Sequence, residues 1–430
     1  MTTTSKHVIV VSVDAMITSD IAEFAKRPNM KRLLEHSARI DGAHCIYPTY
    51  TYPCHTSIMT GCYPDKHGIY HNDLFDLKSS YAQWFWYAKD IRRPTMVDIA
   101  KAAGLSTASV VFPVQGAGAA DYLIAEIWAP KQADDPTEVF RGANSQAAEP
   151  IFEKHKHMLN WLKTPEFDLF ASACACDIIS ERRPNLLFVH FSYLDHQRHR
   201  CGAETEHVLH AIDFIDERIG ELMDAVEGAD IKDDTDFIIL GDHGQINVET
   251  VFHINRLLID RGLITLDGQG TVKDWRMFVH SASFYGHVYT KDMDMDEARL
   301  VLTELRELYP QYIERVMDTF EAKEIYHLDG PFDFVLEAQT HVIFGQELTG
   351  PLTDTPKPGN YKFSVSTHGY APEKGPNPPF ILCGPDANAG AVVPQARLID
   401  EAPTIMALFG LAMPEDIDGK PVLELIRKRS

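Results

Sequence analysis

Five short, nearly unbroken apolar runs limit the fold more than any other feature of this chain. They are His7 to Val13 (HVIVVSV), Thr107 to Phe112 (TASVVF), Asn185 to Phe191 (NLLFVHF), Thr235 to Leu240 (TDFIIL) and Pro379 to Cys383 (PFILC). A strand with one wet face alternates polar and apolar residues, whereas a run without alternation is buried on both faces, as in a parallel sheet. Helical patterns separate the runs. The clearest is Val208, Ile212, Ile215, Ile219, Leu222 and Val226, whose three/four spacing makes one apolar stripe and turns Asp213, Asp216, Glu217 and Glu221 outward. Others cover Asn29 to Glu35, Thr95 to Ala103, Asp296 to Leu308 and Asp400 to Phe409. Strands alternating with helices predict an α/β fold, a doubly wound and mostly parallel sheet with helices on both faces.

The rhythm breaks twice. Residues Lys78 to Pro184 carry the aromatic cluster Trp84, Phe85, Trp86, Tyr87 and a Gly/Ala stretch from Gly116 to Asp121, and Leu263 to Lys362 mix short strand-like pieces with one helix. Both read as cap insertions leaning over a site, since loops on α/β scaffolds commonly build sites. The expected division is core through residue 77, core with a first cap insertion over 78–184, central core over 185–262, a second cap insertion over 263–362 and closing core over 363–430. Trp84 to Tyr87 fit either a core or a surface on which a base stacks.

Composition narrows the class further. Of 430 residues 45% are hydrophobic and 24% charged, which excludes a mainly disordered or fibrous chain. The net charge of −22 excludes a protein that wraps a nucleic acid polymer, so an anionic substrate must be attracted locally. The opening MTTTSKHVIVVSVDA reads as a buried strand and not a leader, and no apolar stretch long enough to span a membrane follows. The seven scattered cysteines fit a reducing interior, so a cytoplasmic address is expected.

Three apolar runs finish in aspartate: Asp14, Asp195 with His199 four residues on, and Asp242 followed at once by His243. A strand-end Asp often only caps the next turn. Three of them at the carboxyl edge of one open α/β sheet, where ligands collect, point to a site. Packed together without cations they would repel and raise one another's pKa. Three carboxylates (−3) and two divalent cations (+4) leave a site of about +1 inside an acidic protein. Thr51 precedes an apolar segment near Pro53, where it suits a plain helix N-cap or, beside a metal, a nucleophile.

Taken in order, VDA at the first strand end, PTxTxP followed by TGxYPxxHGIxxN, D-x-x-x-H, DHG and a late T-HG-Y at Thr367 to Tyr370 resemble the type I phosphodiesterase/nucleotide pyrophosphatases of the alkaline phosphatase superfamily. The closing DEAPTIMALFGLAMPEDIDGKPV is similar to that superfamily's last helix and turn. The resemblance implies Thr51 as nucleophile and Asn72 as the amide that hydrogen-bonds a phosphoryl oxygen. It implies one zinc on Asp14, Asp242, His243 and the Thr51 oxygen, and another on Asp195, His199 and His368, with manganese as the other candidate metal. His44, His55, His67, His71 and His196 are expected to hydrogen-bond around these ligands, and His67 with Gly68 to shape the turn carrying Asn72. Cys54 and Gln245 depart from the family's usual residues and bear on substrate preference.

The expected activity is hydrolysis of a phosphodiester or nucleotide pyrophosphate through a phospho-threonine intermediate. Phosphonate hydrolysis of the phosphonoacetate hydrolase type and phosphomonoester hydrolysis are the alternatives. Asn72 is neutral, which suits a diester's single charge; Arg198 or Arg276 would be the source of any further cationic contact. No Arg/Lys-rich insertion of the kind a phosphomutase needs is present. The partner is then a small anionic phosphoester or phosphonate, with no membrane; the sequence leaves the oligomeric state open, a homodimer being one candidate.

Overall fold

The computed structural model describes residues 7–79, 82–128, 134–160, 163–358 and 364–428. The first six residues of the opening segment and the expected boundary at 362/363 lie outside the described residues. Strands β1 (His7–Val13), β2 (Ser37–Ile40), β3 (Thr107–Val110), β4 (Tyr122–Ile124), β5 (Leu186–Phe191), β6 (Thr235–Leu240), β7 (Phe380–Cys383) and β8 (Val392–Val393) form one sheet. Their order is β8-β2-β7-β6-β1-β5-β3-β4. β1 lies inside it, parallel to β5 on one side and β6 on the other. Every residue of β1, β5 and β6 is buried, which is why these runs lack polar alternation.

Of the five runs, Pro379 to Cys383 is the exception to parallel pairing: β7 runs antiparallel to both β6 and β2. The chain leaves β6 at the carboxyl edge, builds the second insertion there and re-enters from the same edge, so β7 must run backward. The run from Thr107 also stops at Val110, because Val111 takes a positive φ of 44° and leaves the strand.

Helices α1 (Thr51–Thr60), α2 (Thr164–Arg182), α3 (Tyr193–Cys201), α4 (Glu206–Gly228) and α5 (Glu401–Leu408) supply the layers that bear on the site. Successive β1 residues point to opposite faces. Ile9, Val11 and Val13 share one core with Phe170 and Ile178 of α2 and Ile215 and Ile219 of α4. Val8 and Val10 share the other with Ile58 of α1 and Ile405 of α5. Each such side chain contributes about 1.5–3 kcal/mol on burial. Asp216, expected to face solvent, is buried: its carboxylate accepts the Asn29 (3.3 Å) and Met30 (2.7 Å) backbone N–H groups. The first turn of helix Pro28–Leu34 needs acceptors, and a remote carboxylate provides them.

Residues 78–184 contribute β3, β4 and α2 to the core as well as the Gln83–Trp84 strand outside it. The later insertion carries a four-stranded antiparallel sheet, Met277–Ala282, Tyr285–Thr290, Phe334–Ala338 and Ile313–Asp318 in spatial order. It has its own core around Phe252, Leu302 and Leu336, and an aromatic seam of Tyr47, Tyr52, Tyr285 and Phe332 joins it to the segment that includes Thr51.

Candidate active site and metal centre

β1 ends at Val13, β5 at Phe191 and β6 at Leu240, three neighbours in one sheet, and their next residues turn over the same edge. Asp14 donates its N–H to Phe191 O (2.9 Å), and Ala15 N–H donates to Asp242 Oδ1 (3.0 Å), stitching the three ends together. Gly241 is required where it stands, because a Cβ there would lie 2.2 Å from Met16 O. After β5 the chain enters α3, which sets Asp195 and His199 one turn apart on one face. The buried Asp168 of α2 holds that helix start, its carboxylate accepting Ser192 N–H (3.0 Å), Ser192 Oγ–H (3.1 Å) and Tyr193 N–H (2.9 Å). Burial pushes the Asp168 carboxyl up to about 7 against the pull of those donors.

Thr51 is the first residue of α1, and the cap position belongs to Tyr50, whose side chain makes no capping bond. The Thr51 hydroxyl therefore points elsewhere: Oγ1 lies 3.1 Å from His243 Nε2. The backbone N–H of Tyr52 is satisfied by Asn72 Oδ1 (2.9 Å), so Asn72 caps the helix that begins with Thr51. That bond assigns the amide oxygen and leaves the NH2 group for a ligand.

Around them the Asp and His side chains converge. His243 Nε2 is 3.1 Å from Asp242 Oδ2 and 3.5 Å from Asp14 Oδ1. Asp195 Oδ1 is 3.3 Å from His199 Nε2 and 3.9 Å from His368 Nε2, and the His243 and His368 rings stack at 4.0 Å. Donor atoms of Asp195, His199 and His368 lie within 4.8 Å of one another, and so do those of Asp14, Asp195 and His243. Asp195 thus stands in both groups, and Asp242 adjoins the second through His243.

Ring orientation is set from behind. His199 Nδ1 donates to Ser366 O (2.9 Å), His368 Nδ1 to Thr49 O (3.2 Å) and His243 Nδ1 to Gly244 O (3.3 Å). A carbonyl can only accept, so each Nδ1 carries the proton and each Nε2 presents a lone pair to the cluster. Burial pushes His368 down to about 3 and His243 well below its ordinary value, so these two rings are neutral, as ligands must be. Burial, then the Asp242 and Asp195 charges, push Asp14 well above the carboxylate range, and burial does the same to Asp242. Asp14 Oδ1 and Asp242 Oδ2 are buried with no hydrogen-bond partner among the described residues. Crowded carboxylates with unused lone pairs beside neutral imidazoles are the donor set of a divalent transition metal.

A cavity of about 410 Å³ opens on this cluster, with Tyr50, Asn72, Trp84, His199, Phe344 and His368 in its wall. No Lys or Arg lines it among the described residues. Arg198 is buried and bonded to Asp20 (2.6 Å), and Arg276 pairs with Glu297 (3.1 Å) at the surface, so neither supplies the cationic contact considered for it. The aromatic cluster divides: Trp84 faces the cavity, Phe85 is buried, and Trp86 and Tyr87 pack on the core.

Of the other histidines, His55 and His196 stand beside ligand carboxylates, whereas His67 shapes a turn and His44 does not join the site. His55 Nδ1 donates to Thr51 O (2.8 Å) and lies 3.4 Å from Asp242 Oδ2, while Ser12 Oγ–H donates to its Nε2 (2.8 Å). His67 Nδ1 accepts Ile69 N–H (3.1 Å), and Gly68 takes a φ of 83°, together forming the turn before Asn72. His196 Nδ1 donates to Ser192 O (3.1 Å), and His44 is exposed. Gln245 donates its amide to Asp195 Oδ1 and to Asp195 O (3.1 Å), which explains a polar residue after DHG. Cys54 faces Cys45 (Sγ to Sγ 3.4 Å). Sequence reasoning missed His190, whose Nε2 lies 3.3 Å from Asp14 Oδ2; a lone histidine inside the apolar run NLLFVHF was the available signal. It also missed Asp168, which carries no local signal.

The family model described as type I phosphodiesterase / nucleotide pyrophosphatase matches residues 8–371. Human ectonucleotide pyrophosphatase/phosphodiesterase family member 1 is 25% identical over 223 residues, 50% of this chain and 21% of that protein. The match thus spans about a fifth of that relative's length. Among solved structures, murine ectonucleotide pyrophosphatase/phosphodiesterase 5 superposes with a TM-score of 0.70 at 18% identity, covering 98% of this chain and 100% of that one. An inactive variant of the same murine protein, in complex with AMP, superposes at 0.67 and 16% identity, with the same coverage.

Proposed function

Because this chain belongs to the type I phosphodiesterase/nucleotide pyrophosphatase family, we propose that it hydrolyses phosphodiester or nucleotide pyrophosphate bonds through a phospho-threonine intermediate on Thr51. The observation that carries this reading is the orientation of His199, His243 and His368. Each is held from behind by a backbone carbonyl so that Nε2 faces Asp14, Asp195, Asp242 and the Thr51 hydroxyl. Asp14, Asp242 and His243 on one side and Asp195, His199 and His368 on the other would hold two zinc ions, or manganese. When bound, such a pair supplies Lewis-acid charge that lowers the pKa of the attacking oxygen and stabilises the leaving one.

The chain's own residues do the rest. Thr51 stands at the start of α1, its Oγ1 beside His243 Nε2, and a helix N-terminus favours an anion there. In the first half, the Thr51 Oγ–P bond forms as the bond from phosphorus to the leaving oxygen breaks, and the leaving group departs with a proton. In the second, water attacks phosphorus, the Oγ–P bond breaks and Thr51 is regenerated. Asn72 turns its amide NH2 to a non-bridging phosphoryl oxygen, a neutral donor for a singly charged group. A cavity wall without Lys or Arg among the described residues favours a diester over a monoester dianion or phosphonoacetate, which carry more negative charge. Tyr50, Trp84 and Phe344 offer apolar surface to an organic group of the substrate, and AMP in the murine relative supports a nucleotide as that substrate. The free cysteines fit a reducing compartment as part of the same reading.

The test is Thr51→Ala on the metal-loaded protein with a p-nitrophenyl diester, a nucleotide pyrophosphate, a monoester and phosphonoacetate side by side. Turnover of the first two should fall on the order of 10³-fold or more with bound metal unchanged. Acid-quenched wild type should carry substrate phosphorus on the Thr51 peptide. Undiminished turnover in the variant would dismiss the nucleophile.

A further inference from the structure

The loop that carries Asn72 gathers a second set of metal-ligating side chains, apart from the sheet-edge cluster. His71, Asp73 and, from the Met277–Ala282 strand, His280 each offer one donor atom, and the three atoms lie within 4.8 Å of one another. His71 Nδ1 is 2.8 Å from Asp73 Oδ1, and His280 Nε2 is 3.5 Å from Asp73 Oδ2. The Asp73 backbone N–H also lies 3.0 Å from the same His71 Nδ1. At 2.8 Å a ring nitrogen and a carboxylate oxygen need a proton or a metal ion between them, and here the backbone N–H competes for the same nitrogen lone pair. Among the described residues no Lys or Arg forms an ion pair with Asp73. The two rings stand 4.6 Å apart. Their far nitrogens, His71 Nε2 and His280 Nδ1, have no hydrogen-bond partner among the described residues, so Asp73 is the polar group both rings address.

We propose that His71, Asp73 and His280 bind a divalent transition-metal ion. Two imidazoles and one carboxylate suit zinc and its first-row neighbours, whereas calcium and magnesium take oxygen ligands. His71 is buried, while Asp73 and His280 border a separate cavity of about 350 Å³ that gives an ion a way in and leaves room for water at an open position. The ligands belong to two parts of the molecule, the catalytic loop and the insertion's sheet. An ion there ties the one to the other, and because Asn72 lies between His71 and Asp73 in sequence, it acts as a positioning element for the Asn72 amide.

The test measures zinc per chain by mass spectrometry on the full-length protein after equilibration at a fixed low free zinc concentration. Wild type is compared with Asp73→Asn, His280→Gln and Asp242→Asn, and cobalt substitution reports each site through its visible absorption. Asp73→Asn and His280→Gln should each bind one zinc fewer than wild type and lose one cobalt component, while the Asp242→Asn deficit should be a different component. Asp73→Asn and His280→Gln lie on different elements, so a folding defect in one leaves the other informative. Wild-type zinc content in both would overturn the proposal, as would equal displacement of that zinc by calcium at matched concentration. A single zinc lost in Asp73→Asn and kept in Asp242→Asn would uphold this site while refuting the sheet-edge metals of the proposed function.

Discussion

Two His/Asp clusters lie in this molecule, and they are built differently. At the sheet edge Asp14, Asp242 and His243 follow β1 and β6, and Asp195 and His199 stand on the helix entered from β5, these being adjacent parallel strands about 4.8 Å apart; only His368 comes from outside them. Backbone carbonyls orient the three rings from behind. In the other, His71 comes from a loop, Asp73 from the two-residue strand that follows it and His280 from the insertion, and the rings' far nitrogens have no such support among the described residues. The sheet places donors before any ligand arrives, while the loop and insertion place them only as well as the two parts fit together. Perturbing the first should therefore be close to all-or-none, and perturbing the second graded.

Asp195 gives the largest contrast. It belongs to both donor groups at the edge, so Asp195→Asn should abolish most metal binding there and lower diester turnover by at least about 10³-fold. Asp73→Asn should lower turnover by only about 10–100-fold, as partners one step removed from the reacting atoms do, with the edge metals retained. Steady-state kinetics and metal analysis of the two variants in parallel check this. Equal losses would erase the distinction between the clusters.

Asp168→Ala comes next, because it removes what makes the edge rigid. Two backbone N–H groups and a hydroxyl lose their acceptor at the start of α3. Stability should fall by about 1–3 kcal/mol, and edge metal affinity by about 10-fold or more as Asp195 and His199 lose their fixed placement. Calorimetry and a chelator competition read the two effects separately. A stability loss with unchanged metal affinity would show that α3 is held well enough by packing alone.

The contrast also explains what was legible in the sequence. β1, β5 and β6 are buried on both faces, so their apolar runs were plain, and an aspartate closing such a run marks the sheet's carboxyl edge without any knowledge of partners. Asp168 and Asp216 were not legible, because each satisfies N–H groups of a helix distant in sequence, Asp216 from within an ordinary amphipathic pattern and Asp168 from a helix with no apolar stripe to mark it. Arg198 was misread for the same reason: its partner Asp20 lies 178 residues away. β7 reads as a parallel strand because burial leaves the same composition in either direction, and only the re-entry point of the insertion decides. His280 sits in a short strand whose partners are set by tertiary structure, so nothing local joined it to His71 and Asp73.

Glu126 sharpens the comparison with the smallest effect on turnover. It follows β4 on the same sheet but pairs with no histidine among the described residues; Tyr52 and Trp128 are its donors, and one carboxylate oxygen is left without a partner among the described residues. Burial raises its carboxyl from 4.5 to about 7 in spite of those donors. The folded state therefore holds a proton that the unfolded chain releases near 4.5, so this group's stabilisation is complete below 4.5 and declines as pH climbs to about 7. Glu126→Gln stays neutral throughout. Its melting temperature relative to wild type should rise across that window, by a few °C for an effect of a few kcal/mol at most, and level off above it. A difference that stays constant between pH 4.5 and 8 would mean that Glu126 remains ionised in the fold, and that an acid at this edge needs neither imidazole nor cation to keep its charge.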